Sequence, residues 1–229
     1  MHVPDGFLDA PTSLATGVVA ATAVAVSLRA ARRELDDRTA PMAGLVATFV
    51  FAAQMINFPV GAGTSGHLMG GALAAVLVGP WTAVLCLSVV LVVQALLMAD
   101  GGITAIGTNI SLIGIVTVAV GWGVFVLLRK VLPARISIVA PAAAAGALLS
   151  VPVAALVFTG LFAIGGNAPV DLAAVTAAML GWHTVIGIGE AAVTGLVVAS
   201  VVAARPDLVH GARPLLAERV LETRAAVTS

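Results

Sequence analysis

The chain has 229 residues, 60% of them hydrophobic and only 10% charged, with eleven Arg and Lys balancing eleven Asp and Glu. An average soluble domain is about 25% charged, so this composition, with a mean hydropathy of +1.12, excludes an ordinary water-soluble protein and indicates a polytopic helical protein in a lipid bilayer. The zero net charge and few basic residues leave nothing to attract nucleic acid. The single cysteine, Cys86, excludes an internal disulfide framework and reads as a small buried apolar residue.

The first ten residues, Met1-His-Val-Pro-Asp-Gly-Phe-Leu-Asp-Ala10, carry two acids and no basic residue. A secretory signal opens on a basic region, so this is expected to be a structured leader with a Pro-Asp-Gly turn, in a mature chain that begins at Met1. Apolar runs approaching the ~20 residues of a membrane span then predict an all-α bundle. Helix one covers Thr12–Arg33, with Pro11 at its start. Helix two covers Pro41–Asn57, helix three Gly66–Val78, helix four Pro80–Ala99 and helix five Thr108–Leu128. Helix six covers Ile136–Ile164, offset at Pro141 and Pro152, and helix seven Leu172–Ala204. Residues 1–204 form one transmembrane domain on this reading. Arg205–Ser229 is a polar cytoplasmic tail that forms a short surface helix through Leu215, Leu216, Val220 and Leu221.

Helix three is short, roughly 20 Å at 1.5 Å per residue against ~30 Å of hydrocarbon. The charges decide whether it crosses. All Arg and Lys lie in three clusters, Arg29–Arg38, Arg129–Arg135 and Arg205–Arg224, and the positive-inside rule assigns all three to the cytoplasm. That requires four spans between the first two clusters and two more before the third. Helix three therefore crosses, giving seven spans with the N-terminus outside and the C-terminus cytoplasmic.

A short third span draws the preceding loop, Phe58–Ser65, below the outer surface, where irregular backbone is tolerated only inside protein or beside a polar cavity. Thr64 and Ser65 are expected to cap helix three, with His67 one turn inside an outward-facing pocket. The same topology gathers Met1, His2, Asp5, Asn57, Thr64, Ser65, His67, Asp100, Asn109, Asn167 and Asp171 near the outer face. Polar groups collected at one end of a bundle read as a site, although loop ends are polar in any case.

Histidine at position 2 offers a terminal amine, its own amide nitrogen once deprotonated, and ring Nδ1. These close two small chelate rings in one plane, and an imidazole from His67 completes four nitrogens. A square of nitrogens suits Ni(II) or Cu(II) better than the tetrahedral preference of Zn(II). Met1, His2 and His67 are thus the candidate metal ligands. Asp5, Asn57, Thr64, Ser65, Asp100, Asn109 and His183 are candidates for the surrounding shell.

His183 and Glu190 lie inside helix seven, seven residues apart and so on one helical face. Glu190 is expected to hydrogen-bond Gln54 or Gln94 and lock the bundle, or to relay a conformational change. Gly187, Gly189 and Gly195 are expected where helices approach closely. An alternative chemistry is carried by Gly63-Thr-Ser-Gly66 with His183, which resembles the Ser–His pair of rhomboid-like intramembrane serine proteases. Four spans rather than two separate these residues, which weakens that reading. No H-E-x-x-H occurs for a metalloprotease.

Several motifs together resemble the CbiM/NikM family. They are Met1-His-Val-Pro-Asp-Gly6, Gly63-Thr-Ser-Gly-His-Leu-Met-Gly-Gly71, Gly79-Pro-Trp81, Gln94-Ala-Leu-Leu97, Asp100-Gly-Gly-Ile-Thr-Ala105 and Ile186-Gly-Ile-Gly-Glu-Ala191. Members are the substrate-binding S components of energy-coupling factor (ECF) transporters for cobalt and nickel. The resemblance implies an ion held by the terminal amine, by the backbone and ring nitrogens of His2 and by His67, in a seven-span protein. It also implies partners: a transmembrane coupling (T) component, two cytoplasmic ATPase subunits and often a small accessory membrane subunit, expected here as a separate chain. The sequence contains no G-x-x-x-x-G-K-[ST] phosphate loop, so the chain is expected to be no enzyme, with ATP hydrolysed elsewhere. Nitrogen geometry and the Irving–Williams order favour Ni(II), with Co(II) as the other cargo the family handles.

Overall fold

The computed structural model describes residues 1–36, 39–61 and 64–216. It is a helical bundle: α1 (Ala10–Ala30), α2 (Ala40–Gln54), a small antiparallel hairpin of β1 (Phe58–Gly61) and β2 (Thr64–Gly66), α3 (Gly71–Val78) and α4 (Pro80–Leu97). The short α5 (Ile106–Asn109) then runs through a π-helical stretch, Ile110–Val116, into α6 (Thr117–Val131). The long α7 (Val139–Gly165) and α8 (Leu172–Ala204) pack along each other, and α6 lies against α7. Five of these helical segments are long and apolar enough to cross a membrane, and α2 is a shorter apolar helix of 15 residues.

Helix starts follow local chemistry. Asp9 accepts the Thr12 N–H at 2.9 Å to cap α1, and Asp171 accepts the Ala174 N–H at 3.1 Å to cap α8. Pro sits in the first turn of α1, α2 and α4, where a missing N–H costs nothing. Pro152 lies within α7 without ending it.

The predicted third span needs correction. Its helix begins at Gly71, not Gly66, and has eight residues, about 12 Å, all of them buried. A helix that is apolar on every side is a core helix, and α3 is enclosed by α2, α4, α6, α7 and α8. Thr64 and Ser65 do not cap it, because they belong to β2. The N-cap is Gly70 at φ +81°, with no cap from its own side chain; a Cβ there would lie 2.8 Å from Val50. Gly-rich sequence is apolar by composition yet favours a hairpin and a left-handed turn, so hydropathy alone extended the helix too far.

Hydrogen bonds at the far end of α3 show what that helix connects. Glu34, after α1, accepts the Trp81 and Thr82 N–H groups (3.1 and 2.7 Å) at the start of α4. Arg213 donates to Glu34 O at 3.1 Å, and Arg129 donates to Gly211 O at 3.0 Å. The segments around Glu34, Arg129 and Arg213 therefore meet at one end of the bundle, and α3 runs there from the end that carries His67. The segment after α8 is more integrated than a polar tail would be. Pro206–Leu208 and His210–Ala212 are 3-10 turns, and Val209, Ala212 and Leu215 are buried in the core. Val220 and Leu221 lie outside the described residues.

Glycine packing is partly as expected. A Cβ on Gly187 would meet Leu148 O at 2.9 Å and one on Gly195 would meet Ala144 Cβ at 3.3 Å, but one on Gly189 would meet nothing within 4 Å. Cys86 is half-buried, its thiol 3.5 Å from Ala43 O.

Candidate metal site

The leader is drawn into the bundle. Met1, His2 and Val3 are buried. Asn109 grips Val3 from both sides, and the Gly102 N–H donates to Val3 O at 2.9 Å. Asp5 accepts the N–H and hydroxyl of Thr104. Further along, Asn167 donates its N–H to Phe7 O (3.0 Å), and Asp9 donates its N–H to Gly165 O (2.7 Å). The glycine pair after Asp100 makes this approach possible. A Cβ on Gly102 would sit 2.8 Å from the Pro4 carbonyl carbon, and Gly101, at φ +91°, lies beside His2 and Asn109. Thr104 and the glycine pair lie in the motif Asp100-Gly-Gly-Ile-Thr-Ala105, but nothing in the sequence signalled that they hold the leader.

His2 and His67 lie against each other, with ring centroids 4.3 Å apart and planes inclined by 26°. Imidazoles on adjacent corners of a square with metal–nitrogen bonds of about 2 Å have roughly this spacing. His67 Nδ1 is 2.8 Å from Leu68 O. A carbonyl only accepts, so Nδ1 carries the proton and Nε2 presents its lone pair. That Nε2 is buried and has no hydrogen-bond partner, and the same holds for His2 Nε2. His2 Nδ1 lies 2.9 Å from Asp100 Oδ1 in ion-pair contact, without the angles of a hydrogen bond. Asp100 Oδ2 in turn accepts from Asn57 Nδ2 at 3.0 Å.

The electrostatics keep these nitrogens unprotonated. Burial pushes the terminal amine down from 8.0 to about 4, against the opposing charge of Asp100. Burial likewise lowers the His2 ring, with Asp100 opposing. For Asp100, burial works upward, but the His2 ring and the Asn57 amide bring the carboxyl below its ordinary value. Among the described residues no group of three or more His, Cys, Asp and Glu side chains is arranged to hold an ion. The groups gathered here are two imidazoles and the buried amino terminus.

The remaining predicted residues fall around this pair in different ways. Ser65 Oγ is buried without a partner, and the Thr64 side chain lies outside the described residues. His183 is buried in α8, its Nδ1 2.8 Å from Met179 O and its Nε2 unpartnered. Ser65 and His183 are thus not hydrogen-bonded to each other, as a nucleophile and its base would be, and the protease alternative is not supported. Asp5 and Asn109 hold the leader rather than the rings. Gln94 is buried beside His2.

The expected partnership of Glu190 with Gln54 or Gln94 needs correction. Its carboxylate accepts the Met69 N–H (Oε2, 2.7 Å) and the Gly70 N–H (Oε1, 2.9 Å). Gln54 grips the same turn from α2, donating to Met69 O at 2.8 Å. A groove of about 540 Å³ between α2 and α8, lined by Phe49, Ile56, Phe58 and Ile186, reaches both His67 and Glu190.

The fold and site together define a multi-pass helical membrane protein with a buried, nitrogen-rich pocket at one end. Residues 2–208 match the CbiM family, described as the cobalt uptake substrate-specific transmembrane region; the chain belongs to that family. A protein of Haloquadratum walsbyi is 38% identical, over 91% of this chain and 93% of its own length. The fused nickel transport protein NikMN of Rhodobacter capsulatus is 35% identical, over 99% of this chain and 69% of its own. A solved structure of a truncated transition metal transporter superposes with a TM-score of 0.83 at 29% identity, covering 89% of this chain and 99% of that one.

Proposed function

We propose that this chain is the ion-binding, substrate-specificity subunit of an ECF-type ABC importer for Ni(II) or Co(II). It captures the ion from outside through the Met1 amine, the amide and ring Nδ1 of His2, and His67 Nε2. The observation that carries this reading is the stacked His2–His67 pair, with unpartnered nitrogens beside a buried, neutral amino terminus. Family membership and the transporter relatives support it.

His2 Nδ1 faces Asp100. On this reading a half-turn of the ring puts Nδ1 on the ion and the Nε2–H within reach of Asp100. A carboxylate behind a ligating imidazole fixes its tautomer and raises its donor strength. The deprotonated amide and the Asp100 carboxylate together set two negative charges against the divalent ion, which lowers the cost of burying it.

On this reading α2 and α3 both cross, giving seven spans with the leader outside and the three basic clusters cytoplasmic. The irregular residues before α3 are tolerated at membrane depth because protein encloses them. A transmembrane coupling component, two cytoplasmic ATPases and a small accessory membrane subunit complete the importer, and the chain itself performs no catalysis. Four coplanar nitrogens favour nickel.

The test is metal content and visible absorption of the purified protein. One equivalent of Ni(II) with a planar d–d band is expected; the band is lost in His67→Ala, where only the weak chelate of the first two residues remains, and in His2→Ala. A wild type that takes up neither nickel nor cobalt would sink the four-nitrogen site.

A further inference from the structure

Glu190 lies deep in the bundle, 1% exposed, at a position that a bundle lock between side chains does not explain. Both its oxygens accept from backbone N–H groups, the pattern of an ionised carboxylate, which is acceptor-only. The N-terminus of α3, where those N–H groups point outward, offsets part of the charge.

One of the two N–H groups belongs to a peptide with a second task. The Leu68–Met69 peptide donates its N–H to Glu190 Oε2 at 2.7 Å, and its carbonyl accepts from His67 Nδ1 at 2.8 Å. Carboxylate, peptide and imidazole therefore form one chain of hydrogen bonds ending at the unpartnered His67 Nε2. A carboxylate pulling on the N–H makes the peptide oxygen a stronger acceptor, since hydrogen bonds in series polarise one another. A stronger acceptor on Nδ1–H makes Nε2 a better donor and holds the ring in one tautomer.

The surroundings fix this relay in place. Gln54 holds the Met69 carbonyl from the opposite side. Gly70 turns the chain in the left-handed region against Val50, and Gly66 packs on Ile186 of α8, one helical turn before Glu190.

We propose that Glu190 is a positioning residue for His67, acting through the Leu68–Met69 peptide: a carboxylate–peptide–imidazole relay that orients Nε2 and strengthens it toward a divalent transition-metal ion. This rests on His67 being a ligand, as proposed above. A Glu that merely caps α3 would support the fold without touching the donor strength of His67.

The experiment is a double-mutant cycle on Ni(II) affinity in the purified full chain, using Glu190→Gln, His67→Ala and both together, with the d–d band recorded throughout. Gln is nearly isosteric, keeps one acceptor and turns an NH2 toward the other N–H. Glu190→Gln alone is expected to weaken Ni(II) binding about ten- to a hundredfold and to shift the band to lower energy. In the His67→Ala background, where the chelate of residues 1 and 2 still binds weakly, it is expected to change nothing.

Wild-type affinity in Glu190→Gln, or the same loss in both backgrounds, overturns the relay. If Glu190→Gln does not survive extraction as a folded protein, Glu190→Asp takes its place. It keeps the charge but is one methylene too short for both N–H groups, so an affinity between wild type and His67→Ala supports the relay and wild-type affinity overturns it. A wild type that binds no Ni(II) removes the proposed metal site itself. Wild-type binding lost in His67→Ala but unchanged in Glu190→Gln removes only the relay.

Discussion

Asn109 holds Val3 by both faces of its backbone: Oδ1 accepts the Val3 N–H at 2.7 Å, and Nδ2 donates to Val3 O at 3.1 Å. Two consequences follow. The leader is tied down one residue past His2, and the Val3 N–H is engaged, so the proposed chelate has no further amide beyond that of His2 to draw on. Asn109→Leu leaves the buried Val3 N–H without a partner, a cost of about 1–3 kcal/mol, while Val3 O keeps the Gly102 N–H. Thermal unfolding in detergent is expected to drop measurably, and Ni(II) affinity to fall by at least tenfold. Unchanged affinity would show that the leader seats itself without Asn109.

Proton release provides a second check. The terminal amine is depressed to about 4 and the His2 ring lies below its ordinary value, so neither carries a proton near neutrality. Ni(II) capture between pH 7 and 8 should then release one proton, that of the His2 amide, and affinity should rise about tenfold per pH unit. A free peptide with the same leader, whose amine keeps its ordinary value near 8, should release about two. Calorimetry in buffers of different ionisation enthalpy measures the number. The sign for stability is fixed as well. The unfolded chain binds a proton at this amine more readily, so the ion-free protein loses stability as pH falls from about 8 toward 4.

The opposite end should behave independently of the site. Glu34 caps α4 through Trp81 and Thr82, including the Thr82 hydroxyl at 2.9 Å. Glu34→Ala is expected to cost about 1–3 kcal/mol, seen as a lower unfolding midpoint, while leaving Ni(II) affinity within twofold of wild type. A large loss of affinity would mean that the ends of α3 are coupled more tightly than this structure suggests.

The seam around α3 depends on small residues. A Cβ on Gly121 would lie 2.5 Å from Ala72 Cβ and 2.8 Å from Ala72 Cα, and one on Gly146 would lie 2.5 Å from Gly121 O. Gly121→Ala is therefore expected to destabilise by about 1–3 kcal/mol through overpacking. Gly189→Ala, which meets nothing within 4 Å, should be neutral within about 0.5 kcal/mol. Thermal melts of the two variants side by side test the contrast.

Helix reading went furthest where the signal was local. The starts at Pro80 and Leu172 and the end at Ala204 coincide with the predicted limits, because a span must be apolar along its whole length and caps are set by neighbouring residues. The reading failed at Gly66–Gly70, where an apolar composition conceals a hairpin and a left-handed turn. It also missed the π-helical stretch at Ile110–Val116, since hydrogen-bond register inside a helix leaves no mark on hydropathy. Val209 and Ala212, placed in a surface tail, proved to be core.

What the sequence determined by itself is the membrane class and most of the helices, because each is a property of consecutive residues. Only the tertiary structure decided that His67 lies 4.3 Å from His2 and that Asn109 clamps Val3. It alone decided too that Glu190 reaches the turn beside His67 rather than a glutamine. The reason is physical. The partners of Asn109 and Glu190 are backbone N–H and C=O groups, which nearly every residue carries, so no sequence pattern can say which ones a distant side chain will find.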